Sequence, residues 1–124
     1  MPKKNFTLQE ANRRLPLVKK IVCDILNKGR KLISLADHQR PEGLPVEAAI
    51  LQAEIEGLIS ELEDLGCYFK DWRFEQGLVD FPAIINGQEV FLCWRSDEPD
   101  IRWYHPRQEG YPSRQLIPSD YLLN

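Results

Sequence analysis

Hydrophobic positions in the first half of the chain recur at the spacing of an α-helix. Between residues 8 and 38 they are separated by alternating steps of three and four, which aligns them along one helical face. Thr7 and Glu10 have capping-box spacing, so we predict that this helix begins directly after Thr7. Pro16 lacks a backbone N–H, so we expect a kink there, or a short helix over 8–14 followed by a long one. The apolar or small residues of this face are Ala11, Leu15, Val18, Val22, Ile25, Gly29, Leu32 and Ala36.

The same spacing returns after a helix-breaking stretch. "HQRPEGLP", residues 38–45, contains two prolines and a glycine, and a connection this short returns the chain antiparallel. Gly66 stands where a helix C-cap glycine belongs. We therefore predict a helical hairpin over 7–66. Its second helix presents Ala48, Leu51, Ile55, Leu58, Leu62 and Leu65.

The two predicted helices differ in charge. Residues 8–38 contain seven Lys or Arg and three Asp or Glu, whereas residues 46–65 contain six Asp or Glu and no Lys or Arg. We interpret this as cross-helix ion pairing along the seam between the helices. The alternative is a basic first helix that binds nucleic acid, but the formal net charge of the chain is −3. Two helices alone cannot bury apolar faces this wide, so the second half of the chain or another copy must cover the remainder. We expect self-association as a homodimer built on a four-helix bundle.

The second half of the chain shows the alternation of β-strands. Asn86-Gly87 is the preferred pair for a type I′ turn, because both positions need a positive φ. We predict a three- to four-stranded antiparallel β-meander over 67–105, followed by a tail over 106–124 that wraps the surface. Together with the hairpin, this predicts a single α+β domain over 1–124.

Alternation also assigns side chains to the two faces of the meander. The strand after the turn is predicted to place Trp94 on one face and Cys93 on the other. In the following strand Ile101, Trp103 and His105 are predicted to share a face. The two tryptophans are then suited to cross-strand packing or to packing against the helices.

Length and composition narrow the class of protein. The chain has 124 residues, of which 43% are hydrophobic and 28% charged, as in ordinary globular domains. It contains neither an apolar run of roughly 20 residues nor a signal-peptide pattern, so we expect a cytoplasmic protein without membrane contact. Three widely spaced cysteines, Cys23, Cys67 and Cys93, do not form a disulfide framework, which fits a reducing compartment.

Metal binding and thiol catalysis are the first chemical possibilities. Cys93, Glu98 and His105 could converge on a metal ion, but zinc-ligand spacings such as Cys-x-x-Cys are absent, so we predict no metal and no cofactor. Cys93, His105 and Asp80 could form a nucleophilic set, yet a reactive cysteine needs an exposed, electropositive setting. Because Cys93 lies between two apolar residues of a predicted strand, we expect a buried thiol.

A polar and aromatic set defines the ligand-binding site that we predict. An arginine with aromatic neighbours is typical of a pocket for a small anionic ligand or a peptide. The competing interpretation is structural, with an Asp80–Arg114 ion pair that holds the tail on the sheet. The predicted ligand-binding residues are Asp80, Trp94, His105, Tyr111, Arg114 and Gln115.

Several blocks of the chain resemble one known family. "FTLQEANRRLPLVKKIV", "LEDLGCYFKD", "GLVDFPAIINGQEVFLCWR" and "IRWYHP" followed by "GYPSRQLI" are similar to the bacterial family called domain of unknown function 2203, over roughly residues 6–117. The resemblance implies a small cytoplasmic bacterial protein with a helical hairpin and a sheet, and it supplies no activity. Members carry a Trp-His-Asp triplet where this chain has Trp-Tyr-His-Pro at 103–106. Residues 110–115 match the family's Gly-aromatic-x-x-Arg-Gln ending, which implies that the tail belongs to the domain.

These patterns favour a non-enzymatic binding or assembly module that self-associates through its helices. We expect a protein partner or a small anionic ligand for it. The first alternative is a metal- or thiol-dependent enzyme centred on Cys93 and His105. The second is a nucleic-acid-binding protein that uses its basic first helix.

Overall fold

The fold consists of two long helices followed by a five-stranded antiparallel sheet. The computed structural model describes residues 5–37 and 44–122, so most of the predicted helix breaker, residues 38–43, lies outside the described residues. The elements are α1 (Leu8–Asp37), α2 (Leu44–Asp64), β1 (Tyr68–Phe69), β2 (Leu78–Ile85), β3 (Gln88–Arg95), β4 (Trp103–Pro106), a 3₁₀ helix (Tyr111–Ser113), β5 (Gln115–Leu116) and α3 (Ser119–Leu122).

α1 begins with the predicted capping box. The backbone N–H of Thr7 donates to Glu10 Oε1 at 2.9 Å, and the backbone N–H of Glu10 donates to Thr7 Oγ1 at 3.1 Å. The helix continues through Pro16, so the second of the two predicted alternatives, a short helix followed by a long one, is wrong. Pro16 lacks the N–H for one helical hydrogen bond. Leu15 and Val18, on either side of it, are buried, with exposed fractions of 3% and 0%. Burial of these side chains holds the two parts in one helix.

α2 packs against α1, which confirms the predicted helical hairpin. Its end has the predicted glycine, because Gly66 has a φ of +95°. The Gly66 N–H donates to Glu63 O at 2.9 Å, and the Cys67 N–H donates to Leu62 O at 3.0 Å. In the part of the chain that the structure describes, no helix is both long and apolar enough to cross a membrane.

The sheet has the strand order β1-β2-β3-β4-β5, and every pair of neighbours is antiparallel. Asn86 and Gly87 have φ values of 52° and 78°, and Ile85 pairs with Gln88, which confirms the predicted two-residue turn. The α+β fold is therefore as predicted. The meander is one strand longer because part of the predicted tail forms β5, whose two residues are too few to show alternation.

The helices cover one face of the sheet, here called the core face, and the opposite face is called the outer face. Val79 pairs with Trp94 on the core face, where both are nearly inaccessible, together with Val22 of α1. Trp103 pairs with Cys93 and therefore lies on the outer face. Of the two predicted arrangements, Trp94 adopts the packing against the helices, and the cross-strand pairing of the two tryptophans does not form.

Ile101 does not share a face with Trp103 and His105, contrary to the prediction. β4 begins only at Trp103, and Ile101 precedes it in an irregular segment, where it is 1% exposed in the core. Its N–H donates to Asn12 Oδ1 at 2.9 Å, which ties this segment to α1. Alternation relates side chains within one strand only, so it could not assign Ile101.

The close contact between α1 and the loop before β2 gives a matched test of packing. A Cβ on Gly29 would lie 2.1 Å from Phe74 Cγ, whereas a Cβ on Gly57 would meet nothing within 4 Å. Both glycines are inside helices, so each alanine substitution gains about 0.5–1 kcal/mol in helix propensity. We expect Gly57→Ala to raise the free energy of unfolding by that amount and Gly29→Ala to lower it by about 1–3 kcal/mol through overpacking.

Urea unfolding followed by circular dichroism measures both variants. Equal stabilisation by the two substitutions would show that Phe74 does not pack against Gly29.

Candidate functional site

Three polar side chains lie next to one another on the outer face of the central strands. Asp80 of β2 pairs with Cys93 of β3, and His105 of β4 pairs with Phe91, two residues from Cys93 on the same face. The three are 4%, 1% and 2% exposed. One donor atom from each lies within 4.8 Å of the other two. We call this group the polar cluster.

Both ring nitrogens of His105 are engaged. Nδ1 lies 2.8 Å from the carbonyl oxygen of Pro106, and Nε2 lies 3.2 Å from Asp80 Oδ1. A carbonyl oxygen can only accept, so Nδ1 must carry the hydrogen. The hydrogen bond to Asp80 raises the pKa of His105 above its ordinary value, against the opposing effect of burial.

The thiol of Cys93 is held in its neutral form. Burial raises its pKa to about 12, and the nearby Asp80 carboxylate acts in the same direction. Arg114 favours the thiolate but is outweighed. A nucleophilic cysteine needs a lowered pKa and access to substrate, and Cys93 has neither in this state.

An aromatic ring with two cations covers the histidine side of the polar cluster. The Phe91 ring lies 5.8 Å from the His105 ring. Lys70 Nζ and Arg107 Cζ lie 5.9 and 5.4 Å from the centre of the Phe91 ring, and Tyr68 meets its edge at 6.2 Å. Sequence reasoning did not identify Phe91, Lys70 or Arg107 as part of a site, since their positions depend on how the strands pair.

The tail is fastened over the other side of the polar cluster by Arg114. Its guanidinium donates to both carboxylate oxygens of Glu98, at 3.0 and 2.6 Å. It also lies 4.6 Å from the ring centres of both Trp103 and Tyr111. The predicted Asp80–Arg114 ion pair is therefore wrong, because Glu98 takes Arg114 and His105 takes Asp80.

Glu98 joins β3 to the tail through several hydrogen bonds. Besides Arg114, its Oε1 accepts the backbone N–H of Arg95 at 2.8 Å. Its backbone carbonyl accepts the indole N–H of Trp94 at 2.9 Å. Arg95 in turn donates to the hydroxyl of Tyr111. Both carboxylate oxygens of Glu98 accept hydrogen bonds from Arg114, so Glu98 is not free to bind a metal ion together with Cys93 and His105. The carboxylate next to Cys93 and His105 is that of Asp80.

The structure places the six predicted ligand-binding residues in four different environments. Asp80 and His105 are in direct contact in the polar cluster, and Tyr111 and Arg114 stack above the same face. Trp94 reaches this region only through Glu98, because its ring packs in the core. Gln115 is exposed on β5, where it pairs with Tyr104. Because Glu98 neutralises Arg114, these contacts favour a structural role for Arg114 over binding of an anion.

The fold and this site define a class: a small α+β protein with a helical hairpin on one face of an antiparallel meander and a closed polar cluster on the other. Residues 4–117 match the family described as "Uncharacterized conserved protein (DUF2203)", and the chain belongs to that family. No curated protein and no solved structure matches the chain.

Replacement of Arg114 by lysine tests the fastening of the tail. Lysine keeps the charge but cannot bind both oxygens of Glu98 or stack between two rings. The side chains of Arg114 and Glu98 are 9% and 13% exposed, so the lost hydrogen bond leaves a nearly buried carboxylate underpaired. We expect Arg114→Lys to lower the free energy of unfolding by about 1–3 kcal/mol in urea titrations.

Arg102→Lys is the matched control. Arg102 also pairs with a carboxylate, Asp100, but their side chains are 61% and 44% exposed. We expect no measurable change in stability for this variant, and an equal loss in both variants would contradict the structural role of Arg114.

Thiol reactivity tests the closure of the polar cluster. Cys23 is exposed, whereas Cys67 and Cys93 are buried and their pKa values are raised to about 12. We expect one thiol per native chain, Cys23, to react rapidly with Ellman's reagent at neutral pH, and all three to react after unfolding in guanidinium. In Cys23→Ser, rapid reaction of a native thiol would show that Cys93 or Cys67 is accessible, in conflict with the structure.

Proposed function

We propose that the protein is a non-enzymatic assembly protein that forms a homodimer through its helical hairpin. The observation that carries this proposal is the set of large apolar side chains that the hairpin leaves exposed. Leu17 and Ile33 of α1 are 49% and 43% exposed, and Val46 and Ile50 of α2 are 65% and 55% exposed. Leu17 and Ile50 line grooves between the two helices, and a patch of exposed apolar side chains is typical of a protein–protein interface.

α2 itself is covered only in part. Of its described residues, Ile55 and Leu62 belong to the buried core, whereas Leu51, Leu58 and Ile59 are half-buried. The sheet therefore does not cover the whole apolar face that the sequence provides. A second copy of the hairpin would complete a four-helix bundle and bury the remainder.

Two grooves along the hairpin are lined by apolar and charged side chains. The first has a volume of about 410 Å³, and the second, towards the start of α2, about 320 Å³. In both grooves α1 supplies one lysine, and α1 also adds Asp24 to the first; α2 supplies two carboxylates to the first groove and one to the second. The first is lined by Leu17, Lys20, Ile21, Asp24, Leu58, Glu61, Asp64 and Leu65, and the second by Lys31, Ser34, Leu35, Glu47, Ile50 and Leu51.

This distribution of charge selects the arrangement of the two copies. A two-fold axis parallel to the helices sets α1 of each copy against α2 of the other, so the lysines of one copy meet the carboxylates of the other. A two-fold axis in the interface but across the helices would set α1 on α1 and repel. Such a self-complementary contact is what a two-fold interface requires.

The basic residues of α1 support assembly over nucleic-acid binding. Lys19 Nζ donates to Pro99 O at 2.9 Å, and Lys28 Nζ lies 3.3 Å from Glu54 Oε1. Arg30 donates to Glu75 O at 3.4 Å. Three of the seven cations are thus engaged with protein groups, which leaves fewer for phosphate.

The cysteines support a cytoplasmic location. All three are free, and two are buried where oxidation to a disulfide would require rearrangement of the core. Free thiols of this kind suit a reducing compartment.

Mass measurement tests the homodimer. Sedimentation equilibrium should give twice the 14.5 kDa of one chain for the wild-type protein. The double substitution Leu17→Ser/Ile50→Ser removes apolar contacts at the hairpin, and we expect it to shift the equilibrium to the monomer while circular dichroism stays unchanged.

The matched control is Ile84→Ser/Leu116→Ser, which changes side chains that are 49% and 62% exposed on the sheet. We expect this variant to remain dimeric. A monomeric wild-type protein, or dissociation only in the sheet variant, would refute the proposed dimer.

A further inference from the structure

We propose that Asp80, Cys93 and His105 form a binding site for one divalent transition-metal ion of the Zn²⁺ type. Their donor atoms, one carboxylate oxygen, one sulfur and one imidazole nitrogen, lie within 4.8 Å of one another on three adjacent strands. This inference does not depend on the proposed homodimer, since the polar cluster lies on the outer face and uses no residue of the hairpin.

The geometry of His105 calls for a cation in the polar cluster. Because Nδ1 must donate to Pro106 O, a neutral ring presents a bare lone pair at Nε2. That lone pair lies 3.2 Å from Asp80 Oδ1, so two acceptors face each other in a buried place. They need a positive centre between them, and only a proton or a metal ion fits.

The contact between His105 and Pro106 is the arrangement that metal-binding histidines use. A metal-ligating imidazole commonly donates its remote N–H to a backbone carbonyl or a carboxylate, which fixes the tautomer and aims the other nitrogen at the metal. Here Nδ1–H is held 2.8 Å from Pro106 O, and Nε2 is directed towards Asp80. The ring is therefore already oriented for ligation through Nε2.

The donor set identifies the class of metal. A thiolate and an imidazole select Zn²⁺ or a similar borderline ion over Mg²⁺ and Ca²⁺, which prefer oxygen. With Cys93 as thiolate, Asp80 ionised and His105 neutral, the three ligands carry a charge of −2, which matches a divalent cation. The proton of the thiol and the proton shared by Asp80 and His105 would leave to solvent when the metal binds.

The dimensions of the polar cluster require only a small adjustment. Ligand atoms around a tetrahedral zinc ion lie roughly 3.3–3.7 Å apart, given bonds of about 2.0–2.3 Å. Asp80 Oδ1 and His105 Nε2 are already 3.2 Å apart. Cys93 Sγ, which lies within 4.8 Å of both atoms, would have to move closer to reach that spacing. The fourth position would hold water, as in zinc sites with three protein ligands.

The cations near the polar cluster are paired or exposed, so they repel a divalent metal ion only weakly. Arg114, the cation near Cys93, is neutralised by Glu98 through two hydrogen bonds. Lys70 acts on His105 from the surface, where its side chain is exposed and screened by water. Arg107, the second cation over Phe91, is paired with Glu89 at 3.1 Å. The net charge that a metal ion would meet is therefore set mainly by Asp80 and Cys93.

Titration with Co²⁺ tests the site directly. Protein freed of metal by chelation is titrated with Co²⁺ and then with competing Zn²⁺. We expect one equivalent per chain, with visible ligand-field bands and a near-ultraviolet thiolate-to-cobalt charge-transfer band, both abolished by Zn²⁺. Wild-type protein that binds less than one equivalent, or that shows no charge-transfer band, overturns the proposal and leaves the proton as the cation of the polar cluster.

Two variants assign the ligands. Cys93→Ser should abolish the charge-transfer band, and Asp80→Asn should weaken Co²⁺ binding by at least roughly 100-fold, the upper end of the effect of losing a second-shell partner. Cys67→Ser is the matched control, because Cys67 is a second buried thiol whose Sγ donates to Leu62 O at 3.4 Å. We expect it to keep both the band and the affinity.

Retention of the charge-transfer band in Cys93→Ser, or its loss in Cys67→Ser, contradicts the assignment. Circular dichroism checks that each variant is folded. Should Cys93→Ser fail to fold, Asp80→Asn and the wild-type stoichiometry still decide the outcome.

Discussion

The two-residue turn at Asn86-Gly87 fixes the register on which both faces of the sheet depend. Both residues have positive φ, and Ile85 opposite Gln88 sets every later pair of the hairpin. A shift by one residue would turn the core face of β3 outward, so the packing of Trp94 under the helices requires this register. The same register places Asp80 opposite Cys93. The core and the polar cluster are therefore consequences of one local constraint.

Because both long helices lie on the core face, the outer face has to be covered by other means. The chain uses aromatic rings with cations for this purpose, Phe91 on one side and Arg114 between two rings on the other. β5 then adds backbone pairing that brings the tail to the edge of the sheet beside β4. Because this covering includes charged side chains, buried polar groups beneath it are less unfavourable than they would be in the apolar core.

The sequence predicted the elements whose cause is local. The capping box at Thr7 and Glu10 and the C-cap at Gly66 were confirmed because each depends on a few adjacent residues. It could not predict which carboxylate pairs with Arg114, since that depends on how the 96–100 turn and the tail meet in space. The three residues of the polar cluster were named from the sequence as a possible nucleophilic set, and counting back equally from the Asn86-Gly87 turn sets Asp80 against Cys93.

Buried acceptors such as Asp80 and His105 lower the free energy of unfolding unless a cation lies between them. The identity of that cation therefore decides how much the cluster contributes to stability. A proton satisfies Asp80 and His105 but leaves the thiol of Cys93 as a passive neighbour. A metal ion would use all three and would bind only the folded sheet, because the three ligands come from separate strands. Binding at a thousand times the dissociation constant would add about 4 kcal/mol to the free energy of unfolding. The outer face would then be most stable when metal is present, and the proposed dimer would not compete with it, because the hairpin covers the opposite face.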